Sequence, residues 1–406
     1  MRVVVLGEFR ADRLVAPLSS GGADVVVLGG TELGSLLGPD VACAQLPDSL
    51  SEQGTLRLLT GLGADVAVPN MGCYGQEQFL PVYAAAACRF RSEGKGMPAH
   101  PPGFAMLASD KTVLHRTARQ RGWPVPQGRV CAEARAVREA VREIGLPVLV
   151  KEARSEFSVG RYYVRDAAHL DSVTDTVRFP VLVQQAVSGE EFGVELLTWQ
   201  ASTLAWPVAS VGRLDGDCDP GRRVRVAPAA LPAGAENELA ATVHDIVRAF
   251  RPWGPWQIDF AVDEEGRLKV IELNGRLSGV SNMSWRSTGV DPHAAYARVV
   301  LGRPLPRRVR AARVVVELLV PNGVILPPVP AGLELTLFPG TPMNPAPCVR
   351  GYSRPVLGVP EHHADAAHAW LRALPPGTLL NTLDEAASQL DRGLRALRSG
   401  STSLLA

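Results

Sequence analysis

Lysine is scarce in this sequence of 406 residues: only four of the 42 basic residues are lysines, and the other 38 are arginines. The four are Lys95, Lys111, Lys151 and Lys269. An ammonium is a compact point charge and a guanidinium is a wide planar fork, so the two are not interchangeable in a tight site. In such a composition a retained lysine is either functional or a chance survivor on the surface, and both readings stay open.

The sequence also lacks long hydrophobic runs, closely spaced cysteine pairs and a large net charge of either sign. No apolar run reaches the ~18 residues of a membrane-spanning helix, and the N-terminal MRVVVLGEFR lacks the regions of a signal peptide. The six cysteines include no C-x-x-C pair, which disfavours zinc or disulfides and favours a reducing compartment. With a net charge of +1, nucleic-acid binding has no electrostatic support. We expect a cytoplasmic protein without membrane or nucleic-acid partners.

The order of strand and helix signals predicts an α/β and α+β multidomain fold. The first 100 residues alternate buried strands, at 3–6, 25–28 and 65–68, with helical patterns, as in a small open α/β domain. Shorter Pro- and Gly-punctuated strands and two terminal helices follow residue 304. We predict four parts, at 1–105, 106–187, 188–303 and 304–406.

The segment WQIDFAV-DEEG-RLKVIEL (256–273) is the strongest hairpin signal in the chain. If the turn is centred on Glu265-Gly266, Asp259 lies directly opposite Glu272, with Cβ atoms roughly 5 Å apart. Alternation then places Asp259, Glu272 and Asn274 on one face. The other face supplies the core through Ile258, Phe260, Ile271 and Leu273.

Two opposed carboxylates repel each other, and a divalent cation compensates them. With the Asn274 oxygen they form an all-oxygen set suited to Mg²⁺. The alternative is a solvated face whose register differs by one residue, so that the acids never meet. Arg276 follows the set directly and is well placed to bind a carboxylate or phosphate with two parallel hydrogen bonds. An ordinary surface arginine is its alternative.

Four ordered motifs together resemble the ATP-grasp superfamily of carboxylate–amine ligases over about residues 105–290. The resemblance implies an ATP-grasp fold with an N-terminal open α/β domain and a small β-rich C-terminal cap. The motifs are LASDK (107–111), PVLVKEARSEFSVG (147–160), VLVQQAVSGEEFGVE (181–195) and WQIDFAVDEEGRLKVIELNGR (256–276).

The resemblance assigns a role to each matching residue. It implies that Lys111 and Lys151 bind the ATP phosphates, that Gln184, Gln185 and Val187 form the hinge that contacts adenine, and that Glu191 binds the ribose. It also implies that Asp259, Glu272 and Asn274 bind magnesium. Arg276 would lie near the transferred phosphoryl group and the substrate carboxylate.

Two positions depart from the family pattern. The loop over the phosphates is usually rich in glycine, but here it holds only Gly160, so Ser155 and Ser158 are expected to donate side-chain hydrogen bonds instead. Gln184 stands where most relatives carry an acid, and its amide oxygen still accepts a bond from the adenine amino group.

A lid and a substrate pocket complete the expected site. The loop 213–225 is a candidate lid, whose Arg222, Arg223 or Arg225 closes over the γ-phosphate or is merely solvated. Lys269, close to the hairpin turn, is expected to be exposed and without a role. The candidate pocket residues are Ser278, Ser281, Asn282 and Trp285, together with the loop after Asn70.

The resemblance implies an enzyme that activates a carboxylate as an acyl phosphate, using ATP and two Mg²⁺ ions, and joins it to an amine. Amino-acid substrates are expected, with natural-product synthesis as a context, and a homodimer is left open. One alternative is an enzyme like biotin carboxylase or carbamoyl-phosphate synthetase. The other is a degenerate ATP-binding module, which only the glycine-poor loop supports.

Overall fold

The computed structural model describes the chain apart from residues 31–33, 35–36, 72–75, 156–158, 201, 215–222, 339–350 and 401–406. Ser158, Arg222 and most of the predicted lid therefore lie outside the described residues. Within the described ranges, no helix is long and apolar enough to cross a membrane.

The first sheet is parallel and is covered on both faces. Val4 and Leu6 point into one core and Val3 and Val5 into another, which explains the uninterrupted apolar run. The strands are β1 (Arg2–Leu6), β2 (Asp24–Gly29), β3 (Ala42–Gln45) and β4 (Val66–Pro69), and the helices are α1 (Ala11–Ser20), α2 (Glu52–Gly61), α3 (Leu80–Ser92) and α4 (Pro102–Ser109). The strand order is β3-β2-β1-β4. The three predicted strands are confirmed to within one residue. The mostly exposed residues of β3 form no apolar run that would predict a strand.

The second sheet is antiparallel and carries the two lysine-bearing motifs. Its strands are β5 (Gly128–Cys131), β6 (Val148–Glu152), β7 (Arg161–Val164) and β8 (Val181–Gln185), and its helices are α5 (Lys111–Arg121), α6 (Ala134–Ile144) and α7 (Ala167–Thr174). The strand order is β5-β8-β6-β7. Helix α5 begins where the Asp110 carboxylate accepts bonds from the backbone N–H groups of Thr112 and Val113. This cap places Lys111 at the first position of the helix.

The third sheet contains the predicted metal strands and extends into the C-terminal part. Its strands are β9 (Gly189–Trp199), β10 (Ser202–Ala205), β11 (Ala209–Leu214), β12 (Arg225–Ala227), β13 (Gly254–Asp263), β14 (Leu268–Asn274), β15 (Val314–Glu317), β17 (Glu334–Thr336) and β19 (Val356–Val359). A separate pair is formed by β16 (Val320–Pro321) and β18 (Tyr352–Ser353), and the helices are α8 (Ala233–Phe250), α9 (Ser281–Thr288), α10 (Pro292–Val300), α11 (Ala364–Arg372) and α12 (Leu383–Ser399). The order is β14-β13-β9-β11-β12-β15-β19-β17, with β10 on β9. Because β12 pairs with β15, the sheet is continuous across residue 303, and the four-part division stays a prediction.

The β13–β14 hairpin pairs Asp259 with Glu272, as predicted, although its turn differs from the predicted one. Asp263 and Arg267 close the turn through a 3.0 Å bond from the Asp263 N–H to the Arg267 carbonyl. Gly266 has φ +79°, a left-handed conformation that glycine adopts at low cost. The turn is therefore centred on Glu265, one half-step away from the assumed centre.

A bulge at Ile271 restores the predicted pairing further along the hairpin. Phe260 pairs with Val270, while the next residue, Asp259, pairs with Glu272. Ile271 was expected in the core, but the structure gives that place to Val270, which is 1 % exposed, and leaves Ile271 half-buried. A bulge has this effect because its extra residue has no partner on the opposite strand.

Candidate active site

Asp259, Glu272 and Asn274 lie together on the β13–β14 hairpin at one edge of the third sheet, as the hairpin pattern predicted. The Asn274 amide donates to Asp259 Oδ2 at 2.7 Å, and the Gln257 amide donates to the other carboxylate oxygen. Gln257 lies opposite Asn274 and was not predicted as part of the site. Alternation along β13 places it on the same face as Asp259, which is a signal that the sequence already contained.

This donor set fits a hard divalent cation. Asp259, Glu272 and Asn274 offer oxygen atoms, and the buried Gln257 Oε1 has no hydrogen-bond partner among the described residues. The described part of the chain holds no metal-binding group of three or more His, Cys, Asp or Glu residues, so an amide oxygen has to complete the set. The residues present are therefore compatible with Mg²⁺.

The two carboxylates differ in their affinity for a proton. Burial, followed by the charges of Glu191 and Glu272, raises the pKa of Asp259 to about 8. Burial acts to raise the pKa of Glu272 as well, but the nearby cations, Lys111 first and then Lys151 and Arg161, together outweigh it, so the pKa of Glu272 is lowered. Without a cation, the pair favours one negative charge on Glu272 and a protonated Asp259.

Lys111, at the start of α5, and Lys151, on β6 of the second sheet, approach this face, as the retained lysines suggested. Lys111 Nζ lies 2.8 Å from Glu272 Oε1 and also donates to the Ser155 carbonyl. Lys151 is 3 % exposed on β6, and its Nζ donates to Gln184 Oε1 at 2.9 Å. Burial, followed by the charge of Arg161, lowers the pKa of Lys151 to about 8. Two cations therefore face the carboxylates across a cleft.

Ser155 and the predicted hinge lie beside the lysines. The Ser155 hydroxyl donates to the Glu152 carbonyl at 3.2 Å, so it stabilises the turn after β6. A cavity of about 860 Å³ lies next to the hinge and is lined by Gln185 and Val187. Lys269 lines the same cavity and is half-buried, so the expectation of a freely exposed Lys269 is wrong.

Glu191, predicted to contact the ribose, forms a buried ion pair with Arg223. Arg223 Nη1 lies 2.6 Å from Glu191 Oε2. Arg225, two residues further on, lies 3.4 Å from Glu317 of β15. Arg223 and Arg225, the two candidates for closure that the structure describes, thus contact carboxylates, and their closure over the γ-phosphate stays a prediction.

Arg276 contacts a residue that the sequence did not reveal. Its Nε lies 2.5 Å from Oε1 of the buried Glu77, which belongs to a 3₁₀ turn before α3. Its other nitrogens donate to the Leu277 carbonyl at 3.1 Å and to Asn274 Oδ1 at 3.4 Å. Burial raises the pKa of Glu77, and Arg276 opposes this effect. Glu77 is separated from Arg276 by 199 positions, so no local pattern connects them.

Two of the predicted pocket residues are inaccessible in this structure. Ser278 and Ser281 are fully buried, and both contact Glu195 Oε1, through the Ser278 N–H and the Ser281 hydroxyl. They hold the loop after β14 against the sheet, and their role in a substrate pocket stays a prediction. Asn282 Oδ1 accepts a 2.7 Å bond from Arg13, whose guanidinium also covers the Trp285 ring at 4.7 Å.

Comparison with known proteins finds relatives of this chain among ligases and synthases. The family model of the D-Ala–D-Ala ligase C-terminus matches residues 124–295. The D-alanine–D-alanine ligase of Gloeobacter violaceus is 30% identical over 217 residues, which cover 50% of this chain and 68% of that protein. The carbamoyl phosphate synthase large chain of Methanothermobacter thermautotrophicus is 29% identical over 205 residues, which cover 48% of this chain but only 19% of that protein.

Solved structures resemble the chain over nearly its whole length. Biotin carboxylase from Campylobacter jejuni matches with a TM-score of 0.71 and 14% identity, covering 99% of this chain and 97% of that one. N5-carboxyaminoimidazole ribonucleotide synthetase from Thermotoga maritima gives a TM-score of 0.66 and 16% identity, covering 98% of both chains. At these identities the likeness establishes the fold alone.

The fold is therefore the ATP-grasp fold, and the resemblance inferred from the motifs is confirmed. The chain belongs to the ATP-grasp carboxylate–amine ligases, the ADP-forming family that includes the D-alanine–D-alanine ligases. Enzymes of this class use ATP, and Mg²⁺ is general among them.

Proposed function

We propose that the chain uses ATP to activate a small carboxylate, most simply that of an amino acid, and joins it to an amine. The observation that carries the proposal is the placement of Asp259, Glu272 and Asn274 opposite the ammonium groups of Lys111 and Lys151. This arrangement offers cations to the phosphates of ATP and oxygen ligands to Mg²⁺ at a single cleft.

The reaction proceeds in two balanced steps. A carboxylate oxygen attacks the γ-phosphorus of ATP, the bond to the β,γ-bridging oxygen breaks, and ADP leaves. The amine nitrogen then attacks the carbonyl of the acyl phosphate, phosphate leaves with the bonding pair, and the nitrogen loses a proton. Because the chemistry resides in the substrates, the protein supplies position and charge.

The residues of the candidate site have separate roles in these steps. Lys111 and Lys151 neutralise the triphosphate, and Arg276 orients the carboxylate that attacks the phosphorus. Asp259, Glu272 and Asn274 would hold Mg²⁺, two ions in our proposal. When bound, Mg²⁺ supplies compensating charge for the β- and γ-phosphate oxygens.

The proposal extends to the cellular compartment, the domain boundaries and the oligomeric state. We place the protein in the cytoplasm, on the scattered cysteines, and divide the chain at residues 105, 187 and 303. A homodimer is supported by a structural relative described as a biotin carboxylase domain dimer with MgADP and bicarbonate.

A biotin-carboxylase-like reaction is the second candidate function. The D-Ala–D-Ala ligase model ends at residue 295, whereas the likeness to biotin carboxylase extends over 99% of the chain and includes the C-terminal part. Such an enzyme would activate bicarbonate instead of an organic carboxylate.

An ADP-release assay distinguishes these functions. The full chain is incubated with Mg²⁺ and ATP, together with amino acids singly and in pairs, or with bicarbonate. ADP release that requires two amino acids supports the ligase, and release that requires bicarbonate alone supports the second candidate. If the chain binds ATP tightly but shows no turnover under any of these conditions, the result would support a degenerate ATP-binding module.

A further inference from the structure

Arg161, the first residue of β7, lies directly opposite Lys151 across the β6–β7 pair. Opposite residues of an antiparallel pair point to the same face of the sheet, with Cβ atoms about 5 Å apart. Like charges in such positions repel each other and destabilise the pairing. The second sheet therefore presents a pair of cations to the cleft, just as the third sheet presents the carboxylate pair of Asp259 and Glu272.

The charge of Arg161 acts on groups from both sheets. After burial, it is the largest influence that lowers the pKa of Lys151, its neighbour on the second sheet. It also joins Lys111 and Lys151 in lowering the pKa of Glu272, on the third sheet, against the effect of burial. Because the interaction of two charges weakens with distance, the half-buried guanidinium lies close to the cleft between the two sheets.

Glu152, the carboxylate next to Lys151 in the sequence, belongs to the opposite face of the sheet. Its side chain accepts bonds from the Arg178 backbone N–H at 3.1 Å and from Arg178 Nε at 2.9 Å. Alternation along β6 turns it away from the cleft. Glu152 is therefore paired with Arg178 and does not neutralise the cation pair.

Gly160 determines where β7 begins. It has φ +65°, and its carbonyl accepts a 2.8 Å bond from the Glu152 N–H. A Cβ at Gly160 would lie 2.9 Å from Glu152 Cδ, which is too close, so the missing side chain lets the strand start with Arg161 opposite Lys151. The segment 153–160 contains no second glycine that would allow its main chain a close approach to phosphate.

We propose that Arg161 binds the triphosphate of the nucleotide together with Lys111 and Lys151, and that its side chain supplies donors that a glycine-rich loop would supply from the main chain. A guanidinium presents several N–H groups in a planar fork that matches phosphate oxygens. Bound phosphate compensates the repulsion between Arg161 and Lys151, as a cation compensates the opposed carboxylates. This inference rests on the proposed ATP-dependent function, which it extends by one residue.

Three possible roles of Arg161 predict different ligand dependences. An arginine on the phosphates supports only ligands that carry phosphate, one on the base or ribose supports adenosine and ATP alike, and one that merely stabilises the sheet supports neither. The test uses Arg161→Met, which removes the charge and the fork, and Arg161→Lys, which keeps the charge. Dissociation constants for MgATP, inorganic tripolyphosphate and adenosine are measured by calorimetry on the full chain, with weak ligands measured by displacement of MgADP.

We expect Arg161→Met to weaken MgATP and tripolyphosphate by about tenfold or more, the scale of one charge-assisted hydrogen bond, and to change adenosine by less than about twofold. Arg161→Lys should lose less than Arg161→Met. The ligand-free Arg161→Met protein should melt no earlier than wild type, because the repulsion with Lys151 is gone. Equal weakening of adenosine and MgATP would overturn the inference, as would unchanged binding of all three ligands.

Controls separate this inference from the proposed function and from misfolding. Arg135→Met removes an arginine that is 83% exposed on α6, the helix that packs on the other face of the second sheet, and should leave all three constants unchanged. If Arg161→Met does not fold, Arg161→Gln is tested with the same ligands and the same expected pattern. Wild-type protein that binds no MgATP would contradict the proposed function itself, whereas a loss that includes adenosine contradicts only the role of Arg161.

Discussion

Lys111 Nζ lies 2.8 Å from Glu272 Oε1, so a proposed phosphate ligand and a proposed magnesium ligand neutralise each other across the cleft. The pair joins the first turn of α5 to β14. In the proposed function, bound MgATP would replace this contact by two others, between the ammonium and a phosphate and between the carboxylate and the metal. The cleft therefore keeps its charges compensated before its ligands arrive.

Glu272→Gln should abolish turnover and leave a folded protein. The substitution removes the ion pair with Lys111 and also the repulsion with Asp259, and these effects oppose each other. The melting temperature in chelator should therefore change by less than about 1 °C, which corresponds to about 1 kcal/mol in a chain of this size. A much larger fall would indicate a structural role for Glu272 and contradict the metal assignment.

Mg²⁺ affinity should rise with pH and level off above about pH 8, because the pKa of Asp259 is raised to about 8. Between the ordinary pKa near 4 and pH 8, the folded state holds a proton that the unfolded state has lost. The metal-free protein therefore loses stability as pH rises through this window.

Binding of Mg²⁺ at pH 7 should release this proton, since the metal needs the ionised carboxylate. Calorimetric titrations in two buffers of different ionisation enthalpy measure the release. Asp259→Asn should remove it, and Mg²⁺ affinity that is independent of pH would show that Asp259 is not a ligand.

Lys151→Ala should weaken MgATP binding by about tenfold or more, because one charge-assisted contact is lost from a buried site. Lys95→Ala is the matched control, since Lys95 lies over the Phe90 ring in the first part of the chain, 5.0 Å from its centroid. Lys269 does not serve as a control, because it lines the cavity beside the hinge. Equal losses in the two variants would refute the argument from lysine retention.

Arg276→Lys should lower turnover by about tenfold or more and leave MgATP binding nearly unchanged. Lysine keeps the charge but loses the fork that contacts Glu77, Leu277 and Asn274 together. The measurement is ADP release at saturating substrate, compared with a binding titration. Release within twofold of wild type would favour a purely structural arginine.

Glu77→Gln should lower kcat severalfold with little change in MgATP affinity, because the amide holds the Arg276 guanidinium less firmly. Since the two residues act through one contact, the loss in Glu77→Gln/Arg276→Lys should be smaller than the product of the single losses. Independent, multiplying effects would show that Glu77 does not act through Arg276.

The metal site was predictable because its geometry is local. Alternation along β13 and β14, and a turn marked by DEEG, were sufficient to place Asp259 opposite Glu272. The assumed turn centre was nevertheless off by half a residue. The pairing held because the bulge at Ile271 shifts the register back by one, an adjustment that no turn pattern encodes.

The sequence by itself determined the features whose neighbours are close along the chain: the lysines within the strand and helix motifs, and the carboxylate face of the hairpin. Glu77 and Glu195 escaped prediction because their partners lie 83 to 199 positions away and share no period with them. Only tertiary packing brings such groups together, since a buried charge or amide must find a partner wherever the fold provides one. The same packing decided that Gln184 faces Lys151 and that Ser278 and Ser281 are closed to solvent.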